Sequence, residues 1–594
     1  MKTTMDRRAF LKGAIVAGAA GTSVALAGCA PKENSANLAG TGEPQGAQGA
    51  SALSGDTYPT TPWDFEIAPD PIAEDLITET IEADVIVVGS GLSGLTCAYS
   101  AIESGVDVIL FSASDHPVAR GGTNHSFNTR VQKERGIDYT PETFRKQFKF
   151  ELHCYDGKIN QELWWRWVNN SEESQNWLID IMESEGAEIT IEKPYIDDDG
   201  AYEQQKSALN FLIPEEKMSE DLRTFMLSGA IQDIAAASNT GALAQAFVMA
   251  KKFAEVGGRS DYGRVAQYLE QDDSGRVTGV IAKEREGENY FRYAARKAVV
   301  LATGDFSQNH SMMMKHCPDA MEYLFDHEVD YNAMDRFGGL MPGDGQRMGL
   351  WAGAAWQRTP NCVSVIDIMG APTVQHMGFH PGLVLNKEGI RFMNEDTNAV
   401  MCVPQCKRQT DSTYFCIWDS AYADHYEAWE QFGVTCEGDN GPKPMTPDEE
   451  RARWDGGAYV KGDTLDDVLS QLSGLDTEAA KATIDRYNKF CEQGVDGDFH
   501  KNPKHLAPIK TGPFYGFERT IDGARFLNVM GGLRTNAQLQ VCDENDEPIP
   551  GLYNVGCMIG DAYAGLYTFM FSGQSLGMTC DTFPYLLGRD LAKL

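Results

Sequence analysis

Three glycines at fixed spacing are the first residues of the chain that could do chemistry. They lie in the hexapeptide Gly89-Ser90-Gly91-Leu92-Ser93-Gly94. At this spacing the first glycine permits a tight turn, the second lets the backbone approach a phosphate group, and the third allows a helix to pack closely against a strand. The amino terminus of that helix then faces the phosphates. The hexapeptide therefore predicts a phosphate-binding turn.

The elements on both sides of this turn are those that a dinucleotide-binding unit requires. Ala83–Val88 is rich in β-branched residues and predicts a buried parallel strand. Leu95–Ser104 predicts a helix that ends at Gly105, and Val106–Phe111 predicts the second strand. With both strands and the helix in place, we interpret the unit as a binding site for non-covalent FAD.

One position departs from the usual pattern of such units. The second strand usually ends in an acidic residue that binds the adenosine ribose, and Ser112 stands in that place. A serine hydroxyl still hydrogen-bonds a ribose. FAD therefore remains the predicted cofactor, while the tightness of its binding stays open.

Further elements follow along the chain. Trp164–Glu185 has helical periodicity, and Arg276–Lys283 followed by Tyr290–Ala302 indicates a hairpin that enters a buried strand. Gly551–Gly556 predicts another short strand, and a final helix is expected to begin near Gly573.

Seven motifs occur in a fixed order. They are the Gly89 turn, Arg120-Gly121-Gly122-Thr123, Leu301-Ala302-Thr303-Gly304, Gly343-Asp344-Gly345, Leu385-Asn386-Lys387-Glu388-Gly389-Ile390-Arg391-Phe392-Met393-Asn394-Glu395, Gly512-Pro513-Phe514-Tyr515 and Ile549-Pro550-Gly551-Leu552-Tyr553. The ordered set resembles the fumarate reductase and succinate dehydrogenase flavoprotein family, which includes flavocytochrome c, urocanate reductase and cardiac glycoside reductases. The resemblance covers about residues 80 to 590.

This resemblance implies an α/β protein in which a doubly wound, Rossmann-like FAD-binding domain is interrupted by an α+β capping domain. We expect the FAD-binding domain at 78–359 and 506–594 and the capping or substrate domain at 360–505. The motifs place the contacts to FAD at Gly89, Ser90, Gly91, Leu92, Ser93, Gly94, Ser112, Gly121, Gly122, Thr123, Ala302, Thr303, Gly304, Asp344, Gly556, Gly573, Ser575 and Leu576.

The residues with which fumarate reductases bind their dicarboxylate are missing from this chain. By the surrounding motifs, the family's His-Pro pair falls near Val365-Ile366, its catalytic arginine near Ala399, its last arginine near Met570 and its last histidine near Tyr563. Without arginines a site lacks bidentate pairing to two carboxylates. We therefore expect a substrate other than fumarate or succinate.

The residues that replace them are aromatic or apolar. Tyr563, Tyr567, Phe569, Met570 and Phe571 favour a larger and more neutral substrate. Phe569 and Phe571 could equally be packing beneath the flavin. The two tyrosines are the candidate catalytic residues, because a phenol beside a flavin can donate a proton or polarise a carbonyl.

Other polar residues are weaker candidates. Arg534 is a third candidate catalytic residue that could contact a carbonyl or phosphate group, with a surface salt bridge as an equal alternative. His125, His376 and His380 are further candidate acids, although ordinary hydrogen-bonded histidines are more common.

The amino terminus is typical of an export signal. Arg7-Arg8-Ala9-Phe10-Leu11-Lys12 is a twin-arginine pattern, and the apolar run Gly13–Gly28 is too short for a stable membrane span. Leu26-Ala27-Gly28-Cys29 resembles a lipobox, which would make Cys29 the lipidated residue of a chain anchored at the outer face of the cell membrane. An uncleaved signal anchor is the alternative. After this signal at 1–29, residues 30–77 are expected to be a flexible tether.

Charge and cysteine spacing exclude some classes of partner and cofactor. A net charge of −35 over 594 residues makes attraction to nucleic acid improbable. The cysteines show neither zinc-ribbon nor haem-attachment spacing, so no metal ligands are assigned. Cys402, Cys406 and Cys416 leave an iron–sulfur centre open, with scattered core thiols as the simpler account.

The leading hypothesis is an exported FAD-dependent reductase of an activated C=C bond in an enone, an unsaturated lactone such as a cardiac glycoside, or an aryl acrylate. Its electrons would come from a membrane-associated cytochrome c or a similar donor. One alternative is a dehydrogenase of the 3-ketosteroid type that runs in the opposite direction. The other is a lipoprotein that holds FAD without catalysing a reaction.

Overall fold

The computed structural model describes most of the chain after residue 61. The described residues are 62–119, 121–191, 208–227, 241–320, 341–365, 382–395, 404–425, 446–520, 526–568, 571 and 573–594. Outside them lie the predicted signal with Cys29, most of the predicted tether, Arg120, Ile366, His376, His380, Ala399, Cys402, Phe569 and Met570.

Strands and helices are interspersed along the described chain. The strands are β1 Ile77–Val88, β2 Val108–Ser112, β3 Thr123–Asn124, β4 Glu188–Ile191, β5 Leu209–Leu212, β6 Arg259–Tyr262, β7 Arg264–Gln271, β8 Val277–Glu284, β9 Tyr290–Leu301, β10 Cys362–Val365, β11 Leu383–Leu385, β12 Thr413–Asp419, β13 Val460–Gly462, β14 Phe514–Thr520, β15 Phe526–Met530, β16 Gln540–Cys542 and β17 Pro548–Asn554. The helices are α1 Leu92–Glu103, α2 Arg130–Glu134, α3 Pro141–Cys154, α4 Gln161–Ser184, α5 Glu220–Leu227, α6 Gly241–Glu255, α7 His310–His316, α8 Asp344–Trp351, α9 Pro447–Gly456, α10 Leu465–Leu469, α11 Thr477–Gln493 and α12 Phe583–Leu591.

A mixed sheet forms the centre of the described chain. In the order β16-β17-β9-β1-β2-β6, the strands from β17 to β6 run parallel and β16 is an antiparallel edge. β8 and β9 form the predicted antiparallel hairpin, which β7 extends. Apolar residues on one face pack with α1, α4, α6 and α12, and those on the other face pack with β7, β8 and α8. This is the predicted α/β fold class.

Helix α1 is held tightly between the sheet and α12. Every residue from Leu92 to Ala101 is buried. The Ser100 hydroxyl donates to the Tyr585 carbonyl at 2.7 Å. A Cβ on Gly588 would lie only 2.6 Å from the Ala101 nitrogen, so only glycine allows this approach. The helix begins three residues before the predicted start, because Gly91 is its N-cap.

A second sheet lies in the later part of the chain. Its described strands have the antiparallel order β11-β12-β14-β13. All seven residues of β14 pair with β12, so this sheet extends past the predicted domain boundary at residue 505. In the chain, β10 precedes the strands of this sheet and β15 follows them, and these two strands pair antiparallel with each other.

The described end of the predicted tether is packed against the main body. Phe65 is buried, its carbonyl accepts a 2.9 Å hydrogen bond from Trp351 Nε1, and Glu66 forms an ion pair with Lys315. The prediction of a flexible tether up to residue 77 is therefore wrong for this part, because an aromatic anchor and a charge pair fix it. None of the described helices is long and apolar enough to cross a membrane.

Candidate active site

The glycines of the hexapeptide have the geometry that a phosphate turn needs. Gly89 follows β1 with φ +114°, and a Cβ there would lie 2.3 Å from the Ala302 carbonyl oxygen. A Cβ on Gly94 would lie 2.0 Å from the Gly89 oxygen. At Gly91 the nearest atom would be 3.9 Å away, so a ligand can approach the backbone there.

A cleft opens where β1, β2 and β9 end. It encloses about 1260 Å³ of empty space, with the open solvent at its mouth included. The predicted cofactor residues that line it are Gly89, Ser90, Gly91, Leu92, Ser93, Ser112, Ala302, Thr303, Gly304, Asp344, Ser575 and Leu576.

The other predicted cofactor residues support this cleft through close backbone packing. A Cβ on Gly573, whose φ is +71°, would lie 2.2 Å from the Thr123 carbonyl oxygen. One on Gly121 would lie 3.1 Å from the Leu576 side chain. The residues outside the described lining are Gly94, Gly121, Gly122, Thr123, Gly556 and Gly573.

A cluster of hydroxyl groups takes the place of the missing ribose-binding acid. The Ser90 hydroxyl donates to Ser112 Oγ at 3.0 Å, and Ser114 Oγ lies 2.8 Å from the first and 2.9 Å from the second. Ser114 also donates to the His116 carbonyl at 2.9 Å. Since each hydroxyl can accept twice and donate once, the cluster keeps capacity for ribose hydroxyls. Ser90 and Ser112 were predicted as separate contacts to FAD, and Ser114 joins them in one hydroxyl cluster.

The same end of the cleft carries residues that sequence reasoning missed. Arg264, Val265 and Ala266 line it from the start of β7, and the preceding Gly263 N–H donates to the Ser114 carbonyl at 3.0 Å. Only the pairing of β6 with β2 brings them there, so no local pattern signals them. The other missed lining residues are Val88, Ala113, Ser114, Val118, Ala119, Asp305, Met341, Pro342, Asn528, Cys557 and Cys580.

Helix α8 closes another side of the cleft. Gly345 N–H donates to Thr303 Oγ1 at 3.1 Å, and Gln346 Nε2 donates to the Gly304 carbonyl at 3.0 Å. Asp344, the first residue of α8, pairs with Arg347. Burial raises the pKa of Asp344, and Arg347 opposes that rise.

The segment before α12 is a π-helix, Leu576–Thr582. Its start follows Ser575, and Leu576 and Cys580 both line the cleft. Asp581 instead points into the protein interior, where it accepts hydrogen bonds from Gln175 Nε2 at 3.2 Å and Gln245 Nε2 at 2.6 Å. Burial raises the pKa of Asp581 to about 7. Single π-helical turns occur often at functional sites.

The two candidate tyrosines meet at Ser575. Tyr567 Oη accepts a hydrogen bond from the Ser575 N–H at 3.2 Å. The Tyr563 ring lies 5.8 Å from that of Tyr567, and its carbonyl accepts from Thr359 Oγ1 at 2.7 Å. The buried Tyr563 phenol interacts with the Ser575 side chain. Burial raises the pKa of both phenols, so both remain protonated at neutral pH.

Arg534 is placed elsewhere. Its guanidinium donates to the carbonyls of Asp543 and Glu544 at 3.2 and 3.0 Å and lies 3.5 Å from an Asp546 oxygen. It therefore clamps the turn between β16 and β17 and does not line the described cleft, so the expectation of a catalytic role is corrected. His125 lies buried among aromatic rings, with Nε2 at 3.4 Å from Tyr139 Oη.

The residues of the cleft fit FAD. A glycine turn with an open backbone lies at the start of α1, and a hydroxyl cluster lies at the end of β2. Tyr563 and Tyr567 are not among the described lining residues and lie behind Ser575, which lines the cleft. Cys406 and Cys416 are separate buried thiols, and no group of three metal-ligating side chains occurs within the described ranges.

Comparison with known proteins gives the same assignment. Residues 84–569 match the family model of the FAD binding domain. Vinyl phenol reductase of Lactiplantibacillus plantarum is 24% identical over 86% of this chain and 95% of its own length. A fumarate reductase (cytochrome) of Shewanella frigidimarina is 25% identical over 86% of this chain and 77% of its own.

A solved structure has the same fold. The 3-ketosteroid-Δ4-(5α)-dehydrogenase of Rhodococcus jostii RHA1, in complex with 4-androstene-3,17-dione, superposes with a TM-score of 0.63 and 22% identity, over 88% of this chain and all of the other. The chain therefore belongs to the FAD binding domain family, within the fumarate reductase and succinate dehydrogenase flavoproteins, and is an FAD-dependent oxidoreductase that acts on CH–CH bonds.

Proposed function

We propose that this chain reduces a carbonyl-activated C=C bond in a neutral substrate, such as an enone, an unsaturated lactone of the cardiac glycoside type or an aryl acrylate. The observation that carries the proposal is the buried phenol of Tyr563, which interacts with the side chain of the cleft residue Ser575 and stays protonated at neutral pH. A neutral phenol beside the cleft can donate its proton to a bound substrate.

Tyr563 acts as the proton donor in this proposal. FAD, when bound and reduced by the external electron donor, would supply the hydride that goes to the β carbon. The Tyr563 O–H bond breaks as its proton forms the C–H bond at the α carbon, and a phenolate remains. A raised pKa keeps the phenol protonated before each turnover. Tyr567, which accepts from the Ser575 N–H, orients the backbone of that segment.

The charge around the phenols favours a neutral substrate. Arg264 is the arginine among the described lining residues, and it lies at the ribose end of the cleft. Phe571 and Trp164 pack near the phenols, with ring centroids 6.3 Å apart. A dicarboxylate would find no bidentate partner among these residues. A relative whose name is vinyl phenol reductase supports an aromatic alkene as one candidate.

The location and electron donor complete the proposal. The chain would be exported through its twin-arginine signal and held at the outer face of the cell membrane by a lipid on Cys29. Its electrons would come from a membrane-associated cytochrome c or similar donor, for which the cytochrome in the name of the Shewanella relative is a precedent.

The test uses the purified holoenzyme with reduced methyl viologen and a panel of enones, lactones, aryl acrylates and fumarate. We expect dye oxidation with at least one neutral alkene and little with fumarate. No oxidation on the panel would overturn the proposal. Faster turnover of the saturated compounds with an oxidised dye would assign the chain as a dehydrogenase instead.

Tyr563→Phe tests the proton donor. It removes only the hydroxyl and keeps the aromatic ring, so FAD content and Tm should be retained while kcat falls by roughly 100-fold or more. Tyr567→Phe is the matched comparison, because it removes the acceptor for the Ser575 N–H and is expected to disturb positioning. Unchanged kcat in Tyr563→Phe would show that another group donates the proton.

A further inference from the structure

Helix α3 carries a buried polar stripe. Gln147, Glu151 and the C-cap residue Tyr155 are spaced four residues apart and therefore share one face of the helix. Their side chains are at most 6% exposed. The Glu151 carboxyl interacts with the Tyr155 hydroxyl, which also interacts with Thr568. Both amide atoms of Gln147 have no hydrogen-bond partner within the described part of the chain, so this end of the stripe calls for bound water.

The stripe leads to the proposed proton donor. Tyr155 interacts with Glu151 on one side and with Tyr563 on the other. The negative charge that either group can carry raises the pKa of Tyr155. Trp164 Nε1 donates to the Ala562 carbonyl at 2.9 Å and its ring lies 5.9 Å from that of Tyr155. This contact holds the backbone of Tyr563 against the end of the stripe.

The surroundings of Glu151 favour its neutral form. Facing its carboxyl are Cys154 and Tyr155 on its own helix and Tyr567 and Thr568 from the segment before α12. Thr568 Oγ1 donates to Glu151 Oε1 at 2.9 Å. None of the described cations faces the carboxyl. Burial raises the pKa of Glu151 to about 8, so it holds a transferable proton at neutral pH.

We propose that Glu151 is an internal proton reservoir that reprotonates Tyr563 through Tyr155 after each turnover. This rests on the proposed function, in which Tyr563 becomes a phenolate. The Glu151 O–H bond breaks and its proton passes to Tyr155, whose own proton crosses a bridging water to restore the Tyr563 hydroxyl. The carboxylate then takes a proton from solvent along the side of Gln147. Glu151 touches no substrate and acts only through the two tyrosines.

Glu151→Gln separates this role from the chemistry of the site. In the holoenzyme with reduced methyl viologen and the best alkene of the panel, its first turnover should keep the wild-type rate, because Tyr563 starts protonated. Its steady-state kcat should fall roughly 10- to 100-fold with KM unchanged. The basic limb of the kcat profile near pH 8 should disappear, and Glu151→Asp should restore part of kcat.

A readout without turnover checks the carboxyl directly. The component of the protonated-carboxyl infrared band that titrates near pH 8 in the substrate-free holoenzyme should be absent in Glu151→Gln, whereas the component of Asp581, near pH 7, should remain. Glu142→Gln is the matched control, since Glu142 is an exposed residue of the same helix; it should leave the band, kcat and the pH profile unchanged.

The outcomes are distinguishable. Wild-type steady-state kcat in Glu151→Gln would overturn the reservoir and leave the proposed function standing. A wild-type first turnover in Tyr563→Phe would overturn the proton donor itself. If Glu151→Gln fails to fold, Tyr155→Phe provides the second test, with the same loss of steady-state kcat and the same intact first turnover expected.

Discussion

Two sets of buried carboxyl groups in this molecule differ in their partners: among the described residues, one set faces cations and the other does not. Below the second sheet, Arg391 makes paired hydrogen bonds to Glu395 at 2.9 and 2.7 Å and to Asp496 at 3.0 Å, and Lys501 lies 3.7 Å from Glu395. In the FAD-binding region, Glu151 and Asp581 are equally buried but face hydroxyls and amides.

The difference decides which carboxyls can carry protons. Burial acts to raise the pKa of Asp496, but the hydrogen bonds and charge of Arg391 outweigh it and hold that pKa down, to about 2. Without a cation, burial raises the pKa of Glu151 to about 8 and that of Asp581 to about 7. Asp496 is therefore charged at neutral pH and pairs with Arg391, whereas Glu151 and Asp581 exchange protons in the neutral range.

The largest effect is expected from Arg391→Met. It leaves two buried carboxylates without their main partner and should lower the free energy of unfolding by about 3–5 kcal/mol. Denaturant unfolding measures this. Arg486→Met, which removes an ion pair from the exposed side of α11, is the control and should change little. A small loss for Arg391→Met would mean that the cluster adds little to stability.

Glu151→Gln should change how stability depends on pH. Below its usual pKa of 4.5 Glu151 is protonated in both states, and between 4.5 and about 8 only the folded state keeps the proton. The free energy of unfolding of the wild type therefore falls as pH rises through this window, by up to about 1.4 kcal/mol per pH unit.

Glu151→Gln removes this contribution and leaves that of Asp581. Unfolding at a series of pH values from 2 to 8.5 checks it. The opposite dependence of Asp496, whose stabilisation is lost as pH falls from 3.8 to about 2, should stay in the variant. An unchanged slope between pH 5 and 8 would contradict the assignment of Glu151.

Ser112→Asp would place a carboxyl within the buried hydroxyl cluster. Packed against Ser90 and Ser114, it should lower the stability of the FAD-free protein by about 1–3 kcal/mol. Bound FAD should recover part of that loss, because ribose hydroxyls can donate to a carboxylate. The measurement is Tm with and without FAD for both proteins. An FAD-induced rise in Tm no larger than that of the wild type would show that Ser112 does not face the ribose.

The smallest effect is expected from Asp581→Asn at acidic pH. The new amide oxygen can accept from Gln245, and Gln175 can turn its own unpartnered Oε1 toward the new NH₂ group. Stability at pH 5 should stay within about 1 kcal/mol of the wild type. Unfolding at pH 5 and pH 8 should show a smaller difference than in the wild type. A large loss at pH 5 would mean that the Gln175 amide cannot turn.

The parts of the site that the sequence predicts are local. The Gly89 turn, helix α1 and the β8–β9 hairpin each follow from a few adjacent residues. Ser114 and Arg264 join the site only because β6 pairs with β2, and no local pattern encodes that pairing. Arg534 is the opposite case, a residue predicted in the site that lies outside it. Its motif predicted a catalytic role, but its side chain binds the turn between β16 and β17.

The stripe on α3 shows why a visible pattern can be misread. Gln147, Glu151 and Tyr155 have helical spacing, but polar residues on one face usually mark the solvent side. Their burial depends on Thr568 and Tyr563, which lie some four hundred positions further along the chain.

The π-helix before α12 has a consequence for the evolution of the enzyme. A π-turn holds one residue more than an α-helical turn, so losing a single residue within Leu576–Thr582 would return the segment to α-helix. Each residue turns an α-helix by about 100°, so the loss would change which residues face the cleft, as Leu576 and Cys580 do, and which face the interior, as Asp581 does. One-codon deletions at this point would thus remodel the cleft wall and leave α12 intact, which makes the segment a natural place for relatives to diverge in substrate.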